Sequence, residues 1–179
     1  MIFSTEDYNS PDGMMTSIWG PPMWHTLHTI SFNYPVKPTK EDKINYFNFF
    51  NSLSNILPCR YCRENLKKNL KKMPLNKCVF KSRETLSYWV YILHEKINKL
   101  LNKKSNLTYE MVRERYEHFR SRCLNENEQI KMKETGCTKS LYGVKGKCVI
   151  NIIPKTTQKK SFVMDPKCKI SRRIKNKSS

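Results

Sequence analysis

Apolar side chains recur every three or four residues along most of the first two thirds of the chain, with polar or charged residues between them. That spacing places the apolar side chains on one face of an α-helix, which can then pack against a core. Prolines and short polar stretches divide the pattern into five segments. The sequence therefore predicts an all-α fold: a four-helix bundle plus a short fifth helix, over residues 17–123.

The punctuation between segments predicts where each helix begins and ends. Serine and threonine are favoured at helix N-caps, and proline is tolerated in a first turn but stops a helix elsewhere. The predicted helices are one with Pro21 and Pro22 in its first turn that ends before Pro35, one from Thr39 to Leu57, one from Pro58 to Met73, one from Ser82 to about Lys103, and one from Thr108 toward Cys123.

The two ends of the chain lack this pattern. Residues 1–16 show no periodicity and are predicted to be a flexible arm. Residues 124–179 form a basic, cysteine-containing C-terminal extension. Glycines and clustered β-branched residues, including Val149, Ile150, Ile152 and Ile153, predict either a short β-hairpin or a loosely ordered extension over residues 136–155 and 161–169.

The charge is strongly positive, with 34 Lys and Arg against 15 Asp and Glu and a formal net charge of +19. The extension is the more basic part for its length. A basic extension can bind nucleic acid, anionic lipid or an acidic protein, but a solvated lysine-rich surface has the same composition. No run of apolar residues is long enough for a transmembrane segment. The start of the chain carries acids where a secretion signal is basic, so we expect a protein that is not secreted.

Seven cysteines in a non-secreted protein favour redox or metal chemistry over structural disulfides. Cys59 and Cys62 are three residues apart at the start of a predicted helix. The helix dipole, aided by Arg60 and Arg63, would stabilise a thiolate there, which suits disulfide exchange. Zinc is the alternative, because a CxxC pair supplies two of four ligands and Cys78 and His94 could complete a site.

His28 and His94 each stand beside apolar positions on a predicted helix, four and five residues after Trp24 and Trp89. A histidine in such a place is commonly a hydrogen-bonded core residue. Together with the two tryptophans, the pair could instead form a flat aromatic slot for a planar cofactor.

Three motifs, in order, resemble the Erv/ALR family of FAD-linked sulfhydryl oxidases. The family's WGPxxWxxLH stands at residues 19–28 and is followed by Tyr34-Pro35, and its Pro-Cys-x-x-Cys stands at residues 58–62. Its Trp-x4-His segment is matched by Trp89, His94, Ile97, Asn98, Leu101 and Lys103. The resemblance covers residues 17–122, and the forms carried by large cytoplasmic DNA viruses are especially similar.

The resemblance implies a helical bundle that binds FAD and oxidises thiols. In that family pattern Cys59 exchanges with the client and Cys62 lies next to the flavin, which passes electrons to O2 and gives hydrogen peroxide. The positions matching the family's FAD contacts are Gly20, Trp24, His28, His94, Asn98, Lys103 and Tyr116. Glu95 departs from the family, which has asparagine there, and Tyr91 and Thr108 replace its additional structural disulfide.

The resemblance also implies partners and a location. We expect reduced protein thiols as clients, viral proteins among them, a homodimer, and residence in the host cytoplasm or the virion. Nucleic acid binding through the basic extension stays an open expectation. The alternative function is a zinc-stabilised basic module that binds nucleic acid.

Overall fold

The computed structural model describes residues 3–154, 156–157 and 165–168, and most of its regular structure is helical. The helices are α1 (Thr5–Tyr8), α2 (Thr16–Asn33), α3 (Lys40–Ile56), α4 (Arg60–Lys72), α5 (Arg83–Leu100), α6 (Tyr109–Glu117) and α7 (Glu126–Met132). A two-stranded antiparallel sheet pairs β1 (Ser121–Arg122) with β2 (Lys139–Ser140), and a 3₁₀ turn covers Pro166–Cys168. None of the helices within these ranges has the length and apolar character needed to cross a membrane. The chain divides into two units, Met1–Tyr109 and Glu110–Ser179.

The first unit holds the main core, in which α2 packs along α5 and α3 packs against α4. Leu86 and Tyr34 are fully buried at its centre. The Tyr34 hydroxyl donates to the Phe80 carbonyl at 3.0 Å, and Arg83 donates to the Tyr34 carbonyl at 2.7 Å. These bonds satisfy polar groups that would be costly to bury alone. They also join the end of α2 to the start of α5 and to the loop that precedes it.

Two predicted helix starts are confirmed by their hydrogen bonds. Thr39 caps α3 by accepting from the Asp42 N–H at 3.1 Å, and the Asp42 carboxylate accepts from the Thr39 N–H at 2.8 Å. Ser82 caps α5 in the same reciprocal way with Thr85. Such capping boxes satisfy amide donors that a helix start otherwise leaves unpaired. The all-α prediction for this part of the chain is confirmed.

Helix α2 differs from its prediction because it begins at Thr16, before the two prolines. Pro21 and Pro22 therefore lie in its second turn, where each removes one backbone hydrogen bond. The Trp19 indole N–H donates to the Met14 carbonyl at 2.9 Å, which ties the helix to the residues that precede it. Helix α1 and this earlier start both lie in residues 1–16, for which the sequence predicted a flexible arm with no periodic pattern.

In the second unit, the secondary structure differs from the prediction at two places. Helix α6 ends at Glu117 rather than near Cys123, because Ser121 and Arg122 pair with Ser140 and Lys139 as strands. A hairpin is present, but it spans 121–140 and encloses α7, which the polar sequence of residues 125–135 did not predict. Val149, Ile150, Ile152 and Ile153 form no strand in the described part of the chain. The SFVM segment at 161–164 lies outside the described residues.

Candidate active site

The two CxxC cysteines lie at the start of α4, as predicted. Cys59 is the N-cap residue, and its Sγ accepts a hydrogen bond from the Cys62 backbone N–H at 3.2 Å. A sulfur in this position faces the partly positive N-terminus of the helix. Both thiols are half-buried. The structure therefore brings together the pair that the spacing indicated.

The two thiols differ in acidity. Burial alone would raise the pKa of Cys59, but hydrogen bonds from Cys62, Thr16 and the Tyr61 backbone outweigh it and lower that pKa. The pKa of Cys62 is raised, first by burial and then by its hydrogen bond to Cys59. A thiol of low pKa is the better leaving group in disulfide exchange. Cys59 is thus suited to leave a mixed disulfide with a client.

Only one of the two arginines of the motif favours a thiolate as predicted, and it acts on Cys62. Arg60 pairs with Asp12 at 3.1 Å on the surface, and Arg63 donates to the Leu57 carbonyl at 2.6 Å. Arg63 only slightly offsets the raised pKa of Cys62, and neither arginine is among the causes that lower the pKa of Cys59. Hydrogen bonds, rather than the two charges, set the acidity of Cys59.

The segment Asp12–Met14 pairs with the backbone on either side of Cys59. The Met14 N–H donates to the Pro58 carbonyl at 2.6 Å, and the Arg60 N–H donates to the Asp12 carbonyl at 3.0 Å. Gly13 lies opposite Cys59 in an antiparallel bridge, with φ +98°. A Cβ on Gly13 would come within 2.5 Å of the Pro58 oxygen, so this close approach requires glycine. The sequence offered no periodic signal for it.

A row of side chains on α2 leads from the cysteine pair to the histidine pair. The Thr16 hydroxyl lies 3.7 Å from Cys62 Sγ, and Gly20, Trp24 and His28 follow at intervals of four residues. Residues four apart are neighbours on one face of a helix, so these four positions form a continuous stripe along α2. At 1.5 Å per residue, the stripe is about 18 Å long. Sequence analysis missed Thr16, since a lone threonine before an apolar segment is an ordinary helix start.

The histidines and one tryptophan form a single cluster between α2 and α5. His28 Nε2 and His94 Nδ1 are 3.0 Å apart, so one ring donates and the other accepts. The rings of Trp24 and His94 stack with centroids 4.0 Å apart and planes within 5°. His28 is buried. The aromatic slot predicted from the sequence therefore has its histidines and Trp24 in contact, while Trp89 packs edge-on against Phe50.

Acidification is expected to weaken the fold through His94. Burial, opposed by nearby Glu95 and aided by Lys103, lowers the pKa of His94 from 6.5 to about 4. The unfolded chain then binds a proton more readily than the folded one, so this stabilisation is present above pH 6.5 and lost as the pH falls toward 4. Urea unfolding between pH 7.5 and 4 should show the fall, and His94→Gln should flatten it. An unchanged slope in the variant would contradict the assignment.

Asn98 and Lys103 lie just beyond His94 along the chain. The Asn98 amide donates to Glu95 Oε1 at 3.0 Å, and the Lys103 N–H donates to the Asn98 carbonyl at 2.8 Å. Glu95, which replaces the family's asparagine, thus holds the Asn98 amide group. Because the Asn98 NH2 group faces Glu95, the side-chain oxygen of Asn98 points away from that carboxylate, and it is a hydrogen-bond acceptor.

Tyr116 lies in the second unit, on α6. Its ring packs edge-to-face with Phe119 at 5.5 Å, and burial raises the pKa of its hydroxyl to about 12. It is therefore a neutral hydrogen-bonding group at physiological pH.

The zinc alternative finds no support in the described residues. No group of three or more His, Cys, Asp or Glu side chains there could hold a metal ion. Cys78 is exposed, and His94 is stacked on Trp24 and bonded to His28.

Comparison with known proteins assigns the family. The Erv1/Alr family model matches residues 21–117, more than half of the chain. The chain belongs to the Erv1/Alr family. A probable FAD-linked sulfhydryl oxidase of Acanthamoeba polyphaga mimivirus is 41% identical over 91 residues, 51% of this chain and 63% of that protein. An FAD-linked sulfhydryl oxidase of African swine fever virus is 33% identical over 86 residues, 48% of this chain and 70% of that protein.

The solved structures agree with the Erv1/Alr assignment. The FAD-binding domain of Erv1 from Saccharomyces cerevisiae superposes with a TM-score of 0.52 at 30% identity, covering 57% of this chain and 94% of that one. The matching region of this chain thus spans less than two thirds of the mimivirus relative but nearly all of the yeast domain.

The donor set of this Erv1/Alr chain is compatible with FAD. Gly20 is buried, yet the only atom that a Cβ there would meet among the described residues is Thr16 Cγ2, at an ordinary 3.5 Å. Packing within the chain therefore does not itself demand glycine, and its missing side chain leaves room for a ring. Two bonded imidazoles and an aromatic face at the other end of the stripe suit a second planar, polar ring.

Proposed function

We propose that the protein is an FAD-dependent thiol oxidase that forms disulfide bonds in protein clients through Cys59 and Cys62, with O2 as the final acceptor. One observation carries the proposal: a single stripe on α2, about 18 Å long, runs from Thr16, which lies beside Cys62, to His28, which is bonded to the His94 that stacks on Trp24. FAD is an elongated molecule with a planar ring at each end. The family and the sulfhydryl oxidase relatives support the same function.

The exchange chemistry uses the two cysteines in different ways. A client thiolate attacks Cys59 Sγ of the Cys59–Cys62 disulfide, and Cys62 leaves as a thiolate. The client's second thiolate then attacks the client sulfur of the mixed disulfide, and Cys59 leaves. The client has lost two electrons and two protons, and the pair has become a dithiol. The hydrogen bonds that lower the pKa of Cys59 favour its departure in the second step.

The residues that would hold FAD are Gly20, Trp24, His28, His94, Asn98, Lys103 and Tyr116. When bound, FAD supplies a two-electron acceptor that returns the dithiol to the disulfide and transfers the electrons to O2, giving hydrogen peroxide. The chain would contribute ring stacking from Trp24, imidazole hydrogen bonds from His28 and His94, and the Cys62 thiol that lies beside Thr16.

The visible spectrum of the purified protein tests the cofactor directly. We expect a flavin absorption band, with FAD released on denaturation, and oxygen consumption that depends on an added dithiol. A colourless protein that binds no added FAD would contradict the proposal. A flavin band without thiol-dependent oxygen uptake would support FAD binding but would contradict the oxidase activity.

The viral relatives support a proposal about partners and location. The clients we propose are reduced viral proteins in the host cytoplasm or the virion. We further infer that the oxidase domain spans residues 17–123, that the basic extension follows it, and that the chain pairs as a homodimer, as the family resemblance implies. Sedimentation of the flavin-loaded protein measures the last of these.

A further inference from the structure

The second unit holds two cysteines that the oxidase chemistry does not use. Cys123 directly follows strand β1 and Cys137 precedes β2 by two residues. The strands pair Ser121 with Ser140 and Arg122 with Lys139. The pairing continues beyond the strands, because the Leu124 N–H donates to the Gly136 carbonyl at 3.2 Å. The paired backbone segments therefore place Cys123 and Cys137 nearly opposite each other.

The two side chains also meet. Their acidity reflects this proximity, because hydrogen bonding with Cys123, followed by the charge of Cys123, raises the pKa of Cys137. Both side chains are exposed and both thiols are free. A reagent in solution can therefore reach them. Two exposed thiols on facing, hydrogen-bonded backbone segments are placed where a disulfide can form.

The other cysteines of this unit are placed differently. Cys168 is half-buried, and its Sγ would lie 3.3 Å from a Cβ built on Gly146. Its backbone approaches Gly143 so closely that a Cβ there would lie 2.7 Å from the Cys168 carbonyl oxygen. Cys148 is exposed. The hydrogen-bonded pair is the one that geometry favours for oxidation.

We propose that Cys123 and Cys137 are a second redox pair, which closes reversibly into a disulfide by exchange with a small-molecule disulfide such as oxidised glutathione. This goes beyond the proposed oxidase function and does not depend on it, because the oxidant comes from solution. The bond would join the ends of the segment that contains α7. A crosslink that closes a loop restricts the unfolded chain and keeps the two strands together.

The exchange balances in two steps. The Cys123 thiolate attacks one sulfur of the oxidant, forms a mixed disulfide and releases one small-molecule thiolate. Cys137 then loses its proton and attacks the Cys123 sulfur, which releases the second small-molecule thiolate. The protein pair is oxidised by two electrons, and one external disulfide is reduced to two thiols. Cys137 takes the second step, because its interaction with Cys123 raises its pKa and disfavours its thiolate.

The sequence provides a clean peptide assay for this bond. Trypsin cleaves after Arg122, Lys131, Lys133 and Lys139, so it releases Cys123 in fragment 123–131 and Cys137 in fragment 134–139, each with a single cysteine. The full-length protein is equilibrated with oxidised glutathione, its remaining thiols are blocked, and it is digested without reductant. We expect a linked pair of these two fragments, two hydrogens lighter than their sum, in most molecules. Reduction should separate them.

Other peptide patterns in the same digest would contradict the proposal. Cys123 and Cys137 recovered mainly as separate glutathione adducts, or linked to Cys148 or Cys168, would overturn the proposal. Cys78→Ser is the matched control, since it removes an exposed thiol of the first unit and should leave the linked fragments unchanged. The Cys59→Ser, Cys62→Ser double variant should also form the bond. Its failure to do so with glutathione present would show that the oxidant is the CxxC pair, and would overturn the external route.

Discussion

Replacing either Cys59 or Cys62 with serine should reduce thiol-dependent oxygen consumption to background, a loss on the order of a thousandfold or more. Serine keeps the size of the side chain, but its oxygen can form no disulfide. Oxygen-electrode measurements with a dithiol substrate, at equal flavin occupancy, give the result. Cys78→Ser is the matched control, because Cys78 is an exposed free thiol outside the pair, and it should keep full turnover.

The two active-site variants should differ in what they trap. Cys62→Ser retains the Cys59 thiol, whose pKa is lowered. This thiol is only half-buried, so a reagent can reach it. It should form stable mixed disulfides with thiol reagents, since Cys62 is absent to resolve them. Cys59→Ser should accumulate fewer, because the pKa of the Cys62 thiol is raised. Turnover retained in both single variants would reject the exchange mechanism.

Trp24→Ala should weaken FAD binding by roughly 5- to 150-fold, which corresponds to the loss of about 1–3 kcal/mol that stacking of a planar ring contributes. The substitution removes the aromatic face that lies 4.0 Å from His94 and leaves that imidazole without its stacking partner. Fluorescence titration of the flavin-free protein with FAD measures the change in Kd. Circular dichroism shows whether the helices persist.

Trp24→Phe separates stacking from general packing. Phenylalanine keeps a flat ring on the same helical position, so most of the affinity should return. Equal Kd values for wild type and Trp24→Ala, with the fold intact, would show that Trp24 does not contact the cofactor. Loss of affinity in Trp24→Phe as large as in Trp24→Ala would assign the effect to the indole N–H instead of the ring face.

Helices with a strong local signal could be predicted closely. Thr39 and Ser82 each satisfy an amide three residues later, a contact that needs only neighbouring residues, and α3 and α5 begin where the sequence places them. Helix α7 was missed although Asn125 caps it by the same contact, with the Glu128 N–H three residues later. The end of α6 could not be predicted from local contacts. Pairing of Ser121 with Ser140 competes with helix continuation there, and nothing local to either strand indicates its partner.

The sequence by itself determined the chemistry that this protein can perform: a CxxC at a helix start, histidines and tryptophans at helical spacing, and five amphipathic segments to hold them. Only the tertiary structure decided which of these groups contact one another and how those contacts change their acidity. It placed Thr16 against Cys62, made Cys59 the thiol of lower pKa, stacked Trp24 on His94 and set Cys123 against Cys137. The physical reason is distance along the chain. Spacing fixes contacts within one or two turns, whereas partners separated by 46 or 66 residues meet only when helices pack.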